Sequence, residues 1–362
     1  MRYDFLNVCE DVTKTATKIP QSEYLATGLY PIYDQGKDII GGYYDNENGI
    51  VTNYPYIVFG DHTRVIKYID NPCFIGADGV KLLKVKNDIF IPKYVYYSMI
   101  ANPVDSQGYS RHFKLLKETT IKYVDNDIQM KIINELDNIN NALNSKNNEL
   151  FLLDELIKSR FIEMFGDPMV NNKKYNIKYY GDLFTLNAGG TPSKSKNEYW
   201  ENGNISWIGS NLCQNVILYE NDGKYITELA FNNSSARLFP VDTVLIALVG
   251  ATIGKTALLK FETTTNQNVL GVRGIKEAGY NPMFVYYYTQ FLHQKFLNIG
   301  DGGFSMASKE FVSKLPIFDV PIDVQNSFSE FAQLIDKSKF IVQQQIKELQ
   351  ELLDSKMDEY FR

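Results

Sequence analysis

Short polar loops carry the side chains with the clearest chemistry in this chain. Glycine lets a backbone approach a phosphate group, and Ser, Thr and Lys donate hydrogen bonds to phosphate oxygens. Arg, Gln and Asn present the patterns that read guanine and adenine edges in the major groove. Contact with a nucleic acid is therefore predicted. The candidates in the first half of the chain are Gln35, Lys37, His62, Thr63, Arg64, Arg111 and Lys114. Those in the second half are Gly190, Thr191, Ser193, Lys194, Lys196, Ser210, Asn211, Thr252, Lys255, Asn266, Gln267, Ser305 and Lys309.

Ordinary surface turns use the same residue types, so a single loop decides nothing. The set gains weight because the chain repeats itself. The segment Ile91–Tyr97 (IPKYVYY) returns 190 positions later as Asn281–Tyr287 (NPMFVYY). The loop Gly60–Arg64 has its mate in Gly250–Lys255, and the two share little beyond a glycine and a cation. A duplicated scaffold with different loops predicts an asymmetric target of two half-sites.

Sequence motifs for catalysis are incomplete. The segment Gly250–Thr256 resembles a phosphate-binding loop, but its spacing is one residue short, with Val249 where glycine is needed. The segment Asn281–Phe284 resembles the NPP[FY] motif of amino-methyltransferases, but its mate Ile91–Tyr94 lacks the asparagine and no glycine-rich cofactor loop precedes it. Proline in a first helical turn is the simpler explanation. We therefore expect a non-catalytic chain that binds no cofactor.

Histidine and cysteine are sparse. The histidines are His62, His112 and His293, and the cysteines are Cys9, Cys73 and Cys213. None lies in an HExxH or CxxC pattern, so we expect no metal site, and the cysteines are predicted to be buried thiols in a reducing compartment. The sequence shows no membrane-spanning apolar run and no signal-peptide pattern. A cytoplasmic protein is predicted.

The net charge of −6 is unusual for a protein that contacts nucleic acid. The stretches 126–165 and 326–362 carry 9 basic and 14 acidic residues, whereas the rest of the chain carries 28 and 29. The acidity is thus concentrated in these stretches, and the remainder is nearly neutral. Base reading with a few placed cations remains compatible with this balance.

Two heptad ladders give the clearest local structure. Their steps alternate between three and four residues, as in a coiled-coil seam. The first seam consists of Ile132, Leu136, Ile139, Leu143, Lys146, Leu150, Leu153 and Ile157. The second, beginning at Phe328 and Ala332, continues with Ile335, Lys339, Val342, Ile346, Leu349 and Leu353. A homodimeric coiled coil would explain either ladder, but two ladders in one chain also favour intramolecular pairing through high effective concentration.

These elements predict an α+β protein with a pseudo-two-fold internal repeat. Two similar α/β domains, 1–125 and 167–325, are separated by two long antiparallel coiled-coil helices, 126–166 and 326–362. The helix pair would then act as a spacer between two binding sites. Strands are predicted at 54–59, 64–69, 80–86, 205–208, 241–249, 255–260 and 269–275. Helices are predicted at 92–101 and 282–297.

Several blocks together resemble the specificity subunit of type I restriction–modification systems. The opening of that family's target-recognition domain is similar to Gly189–Ser193, Glu198–Trp200 and Ile205–Ile208. A variant opening is similar to Pro31–Gly36, Phe59–Arg64 and Gly76–Lys81. The end of the family's central helix is similar to Ser159–Asp167. The resemblance covers the whole chain.

This resemblance implies that each domain reads one half of a bipartite double-stranded DNA site and that the helices set the gap. It also implies partners: two modification (methyltransferase) subunits that use S-adenosylmethionine, and restriction subunits that use ATP and Mg²⁺. Defence against phage would be the role of the complex. The alternative is a coiled-coil protein adaptor without DNA readout, which the acidic net charge favours slightly.

Overall fold

The structure is a computed structural model that describes residues 1–108, 110–299 and 306–362. It divides into two compact units. The first unit contains Met1–Glu149 and Val342–Arg362, and the second contains Leu150–Ile341. Each unit therefore combines one globular domain with parts of both long helices.

The first unit is built from short strands followed by helices. Its strands are β1 (Arg2–Asp4), β2 (Cys9–Asp11), β3 (Lys18–Ile19), β4 (Tyr30–Tyr33), β5 (Gly42–Tyr44), β6 (Tyr56–Gly60), β7 (Ile66–Ile69), β8 (Phe74–Gly76), β9 (Val80–Val85) and β10 (Thr120–Lys122). Its helices are α1 (Phe5–Val8), α2 (Pro92–Ala101), α3 (Phe113–Leu116), the first part of α4 (Asn126–Phe165) and the last part of the C-terminal helix α10 (Ile322–Phe361). The sheet orders are β2-β9-β6-β7, β3-β8-β4-β5 and β1-β10.

The second unit repeats this plan with additions. Its strands are β11 (Ile177–Tyr179), β12 (Thr185–Ala188), β13 (Ile205–Ile208), β14 (Val216–Leu218), β15 (Tyr225–Ile226), β16 (Leu238–Phe239), β17 (Val244–Ala247), β18 (Thr256–Leu259), β19 (Thr263–Thr265), β20 (Val269–Arg273) and β21 (Pro316–Phe318). Its helices are the last part of α4, α5 (Tyr180–Leu183), α6 (Glu228–Asn232), α7 (Pro282–Phe291), α8 (His293–Leu297), α9 (Lys309–Ser313) and the first part of α10 (Ile322–Phe361). The sheet orders are β12-β20-β17-β18-β14, β15-β13-β19-β16 and β11-β21.

The central strands β6 and β17 are equivalent in the two units. Every residue of β6 and β17 is buried, as expected of apolar runs covered on both faces. In the first unit β6 pairs with β9 and β7, and in the second β17 pairs with β20 and β18, all antiparallel. The second sheets of the two units differ in one edge strand. Strand β3 pairs with β8 in parallel, whereas β16, which comes later in its unit, pairs with β19 antiparallel.

The local predictions are largely confirmed. Helix α2 occupies the predicted 92–101, and β13 the predicted 205–208. The prediction of one helix over 282–297 is wrong, because the backbone at Leu292 leaves the helical path (φ −82°, ψ 1°) and separates α7 from α8. Both α2 and α7 begin with proline in the first turn, where its missing N–H costs no helical hydrogen bond.

The long helices α4 and α10 contain 40 residues each. In the second unit, Asp154 forms a 2.6 Å ion pair with Lys339, and the Phe161 ring lies 5.2 Å from that of Phe328. These helix segments are therefore antiparallel. Every seam residue is buried or half-buried in the structure. This holds for Ile132, Leu136, Ile139, Leu143, Lys146, Leu150, Leu153 and Ile157 and for Phe328, Ala332, Ile335, Lys339, Val342, Ile346, Leu349 and Leu353.

One buried glutamine at the start of each long helix fastens it to its domain. The Gln129 carboxamide accepts the Ile91 N–H at 2.8 Å and donates to the Val124 carbonyl at 2.8 Å. The Gln325 carboxamide accepts the Asn281 N–H at 2.9 Å and donates to the Val320 carbonyl at 2.7 Å. Both side chains are fully buried. We call each arrangement a glutamine clamp.

Candidate nucleic-acid interface

In each unit, some of the candidate residues lie in loops that follow a pair of parallel strands. Strands β4 and β8 pair through Tyr33 and Ile75, and β13 and β19 pair through Ile208 and Thr265. Carboxyl ends of parallel strands meet at one edge of a sheet, where ligand-binding loops commonly gather. The loop that begins at Asp34 therefore lies beside 77–79, and the loop 209–211 lies beside 266–268.

The first unit connects Gln35 to the loop Gly60–Arg64. The Gln35 side-chain oxygen accepts the His62 backbone N–H at 3.3 Å. The Thr63 hydroxyl donates to the Gln35 carbonyl at 2.6 Å. Three predicted residues, Gln35, His62 and Thr63, thus form one hydrogen-bonded group.

Buried polar groups lock this loop to the segment 110–114. The Asp61 carboxylate accepts the Phe113 N–H at 2.8 Å, and the Asp61 carbonyl lies 3.0 Å from His112 Nδ1. Asp61 is 5% exposed and His112 is fully buried. His62 Nδ1 lies 3.2 Å from the Ser110 carbonyl. Sequence reasoning missed the anchoring role of Asp61 and His112, since their partners are about 50 positions away.

A second anchor lies under the loop that carries Gln35. Lys67, 5% exposed, donates to the Asp34 carboxylate at 3.1 Å. The same carboxylate accepts the Gly36 N–H at 2.9 Å. A buried ammonium needs such a partner, because burying an unpaired charge is costly. Sequence reasoning also missed Lys67, which looks like an outward-facing residue of a strand.

The predicted cations of the first unit differ in their exposure and in whether other residues hold their charged groups. Lys37, Arg111 and Lys114 are exposed. The Arg111 guanidinium nevertheless lies 4.0 Å from the Asp61 carboxylate. Arg64, with a positive φ of 63°, turns its guanidinium inward and donates to the Val104 carbonyl at 3.1 Å. Arg64 therefore contributes to holding its loop.

The second unit gathers predicted residues around a shallow groove of about 610 Å³. Lys194, Asn211 and Asn266 line it together with Trp200 and Trp207. We call it the tryptophan groove. Its remaining lining residues, which sequence reasoning did not single out, are Asn197, Glu201, Gly209 and Lys224. The arrangement combines cations, amides and one carboxylate on an aromatic wall.

Two further hydrogen bonds tie predicted residues of the second unit to neighbouring loops. The Thr191 hydroxyl donates to the Gln267 carboxamide at 2.6 Å. The Lys255 ammonium donates to the Gln214 carboxamide at 2.7 Å. The Lys196 ammonium lies 3.1 Å from the Tyr199 hydroxyl, and this hydrogen bond raises the lysine pKa.

The other predicted residues of this unit occupy separate positions. Gly190 is buried so close to Ser235 that an added Cβ would lie 2.4 Å from its backbone. Ser193 is exposed, Ser210 and Thr252 are half-buried, and Lys309 is exposed at the start of α9. Ser305 lies outside the described residues. Thr252 and Lys255 follow β17, whereas the tryptophan groove is formed by other loops.

The three cysteine thiols are buried and difficult to ionise. Cys9, Cys73 and Cys213 are buried, and burial raises the pKa of each to about 12. Within the described ranges no group of three or more His, Cys, Asp or Glu side chains is placed to hold a metal ion. Among the same residues, no helix has the length and apolar character needed to cross a membrane.

The chain is an internally duplicated α+β protein, because two units of matching topology each place polar loops at the end of a parallel strand pair. Comparison with known proteins identifies the family. Residues 172–351 match the type I restriction modification DNA specificity domain. The chain belongs to the specificity subunits of type I restriction–modification systems. Such subunits recognise DNA sequence, are not catalytic, and assemble with methyltransferase and restriction subunits.

Individual relatives support this assignment. The specificity subunit of the Escherichia coli enzyme EcoR124I/EcoR124II is 28% identical over 350 residues, which cover 91% of this chain and 83% of the relative. The MjaIX specificity subunit of Methanocaldococcus jannaschii is 32% identical over 136 residues, covering 36% and 31%. The S subunit of a type I system from M. genitalium has the same fold, with a TM-score of 0.60 at 14% identity over 99% of this chain and 94% of that structure.

Proposed function

We propose that this subunit reads an asymmetric, bipartite DNA site, one half with each globular domain, and directs methyltransferase and restriction subunits to it. The domains would be 1–125 and 167–325. The observation that carries the proposal is the same loop position in both units, at the ends of β4 and β8 and of β13 and β19.

The loop residues argue for two different half-sites. Asp34-Gln35-Gly36 follows β4, whereas Gly209-Ser210-Asn211 follows β13. Glutamine and asparagine both suit adenine, so the different lengths and surroundings of the two side chains would place them at different positions of each half-site. An identical pair of half-sites would require similar side chains in both loops.

The helices supply the proposed spacer and partner surface. In the second unit, Phe151, Leu152, Phe340 and Ile341 are each more than half exposed. Large apolar side chains exposed on a helix pair are typical of a protein-binding surface. We propose that the segments 126–166 and 326–362 set the gap and dock two modification subunits. S-adenosylmethionine, ATP and Mg²⁺ would bind in the partners, and the complex would act in the cytoplasm.

A base-resolution methylome of host cells with and without the gene tests this proposal most directly. We expect one asymmetric bipartite methylation motif to disappear when the gene is deleted. An unchanged methylome would contradict the proposal for that host. Reconstitution with the methyltransferase of the same host would then test whether the complex methylates any bipartite site.

Salt dependence separates DNA reading from the adaptor alternative, which the net charge of −6 favours. Binding of the reconstituted complex to its duplex should weaken steeply as salt rises, because cations released from phosphates drive association. We expect a slope of about −4 or steeper in a log–log plot of affinity against salt. A protein adaptor would show no sequence-dependent DNA binding at any salt concentration.

A further inference from the structure

The tryptophan groove contains polar groups that are not used in hydrogen bonds or ion pairs within the described part of the chain. Throughout residues 1–108, 110–299 and 306–362, no residue forms a hydrogen bond or ion pair with the Glu201 carboxylate or with the Asn211 carboxamide. The Asn266 oxygen accepts the Asn268 N–H at 3.0 Å, which leaves its amide nitrogen available. The acceptor-only Glu201 carboxylate therefore lines the same groove as the Asn211 and Asn266 amides.

The wall of the groove is held rigidly. The Trp200 and Trp207 rings meet edge to face, with centroids 5.2 Å apart. Both indole N–H groups are used internally, since Trp200 donates to the Ser193 carbonyl at 3.1 Å and Trp207 to the Gly190 carbonyl at 3.2 Å. The indoles therefore present carbon atoms to the groove.

Glu201 lines the groove together with Lys194 and Lys224, and a carboxylate is unexpected in a surface that is proposed to face DNA. Phosphates repel it, so it lowers affinity for any duplex. It becomes favourable where it accepts a hydrogen bond from an exocyclic amino group, which cytosine and adenine present in the major groove. Guanine and thymine present oxygen there and would be repelled.

We propose that Glu201 is a specificity-determining residue that selects an amino-bearing base, cytosine or adenine, at one position of the second half-site. The Asn211 and Asn266 amides would contact the same base pair or its neighbour. This inference rests on the proposed function, because it requires that the second unit contacts the major groove.

The experiment uses the full chain reconstituted with the methyltransferase of the same host. A duplex library with a randomised second half-site and a fixed first half-site is selected by binding and sequenced. Glu201→Gln should reduce discrimination against guanine and thymine at one position by roughly 5- to 100-fold. It should leave the other positions unchanged and should increase affinity for unrelated duplex DNA, because a repulsive charge is removed.

Glu198→Gln is the matched control. Glu198 is an exposed carboxylate in the same short turn, three positions from Glu201, and it does not line the groove. Its replacement should leave the selected sequence unchanged. If the wild-type complex is selective and the Glu201→Gln complex prefers the same bases, the inference is overturned while the proposed function stands. A wild-type complex that selects no sequence would overturn the proposed function, and the inference with it.

Discussion

The proposed recognition loops of the two units are held by the same backbone contacts but by different side chains. Leu248 in the second unit occupies the place of Asp61 in the first. Asp61 donates its N–H to the Gly79 carbonyl and accepts the His112 N–H, each near 2.8 Å. Leu248 donates its N–H to the Asn268 carbonyl and accepts the Ala307 N–H, both at 2.8 Å. A buried Asp–His pair in the first unit is thus replaced by Leu and Ala in the second.

The loops after β4 and β13 show the same contrast. Asp34 follows β4 and pairs with Lys67 of β7. The equivalent residue after β13 is Gly209, and the strand register places Ala257 of β18 where β7 has Lys67. Both members of the ion pair are therefore absent from the second unit. A buried charge is tolerated only with its partner, so the pair has to be present or absent together.

The largest expected effect comes from Lys67→Ala, which leaves the Asp34 carboxylate without its cation. We expect a loss of about 3 kcal/mol in the free energy of unfolding of the first unit and weakened reading of the first half-site. Denaturant unfolding and binding to duplexes altered in one half-site measure both effects. The double variant Asp34→Gly/Lys67→Ala, which copies the second unit, should recover most of the stability. A double variant as unstable as the single one would show that the unpaired carboxylate is not the cause.

Asp61→Ala should have the next largest effect. It leaves the buried Phe113 N–H without an acceptor, a loss of about 2 kcal/mol. Discrimination at the first half-site should fall, while discrimination at the second is unchanged. Competition binding with duplexes that carry one altered half-site tests this separation. Equal losses at both half-sites would contradict the assignment of one half-site to each unit.

The smallest effect is expected from Lys255→Ala. The half-exposed Lys255 ammonium is tied to Gln214, so its removal should not affect the fold. Loss of one phosphate contact should weaken DNA binding a few-fold, without changing the preferred sequence, and should reduce the salt slope by about 1. Lys309→Ala removes an exposed cation from α9, and its effects on affinity and on the salt slope can be compared with those of Lys255→Ala. A changed base preference in Lys255→Ala would indicate that Lys255 reads bases.

The scaffold could be predicted because its signals are local. Proline at the first turn fixed the start of α2 and α7, and the heptad ladders located α4 and α10. The break at Leu292 could not be predicted, since no glycine or proline marks it and the apolar pattern continues. The different edge strands, β3 and β16, likewise depend on pairing between distant segments.

The site was only partly predictable for the same reason. Residue type was enough to single out Lys194, Asn211 and Asn266, which the structure places in one groove. It gave no indication that Lys67 turns inward, because its partner Asp34 lies 33 positions away. The proposed role of Glu201 could be inferred only from its position in the groove, since a lone glutamate in a turn has no distinguishing sequence pattern.

The glutamine clamp attaches each long helix to backbone atoms of its domain. Gln129 contacts backbone atoms of residues 89, 91 and 124, and Gln325 contacts backbone atoms of Asn281 and Val320. Hydrogen bonds to backbone atoms keep this joint independent of the side chains in the loops. A domain with entirely different loops could therefore be grafted onto the same helices without redesigning the joint. Under the proposed function, the new target would keep the gap that these helices set.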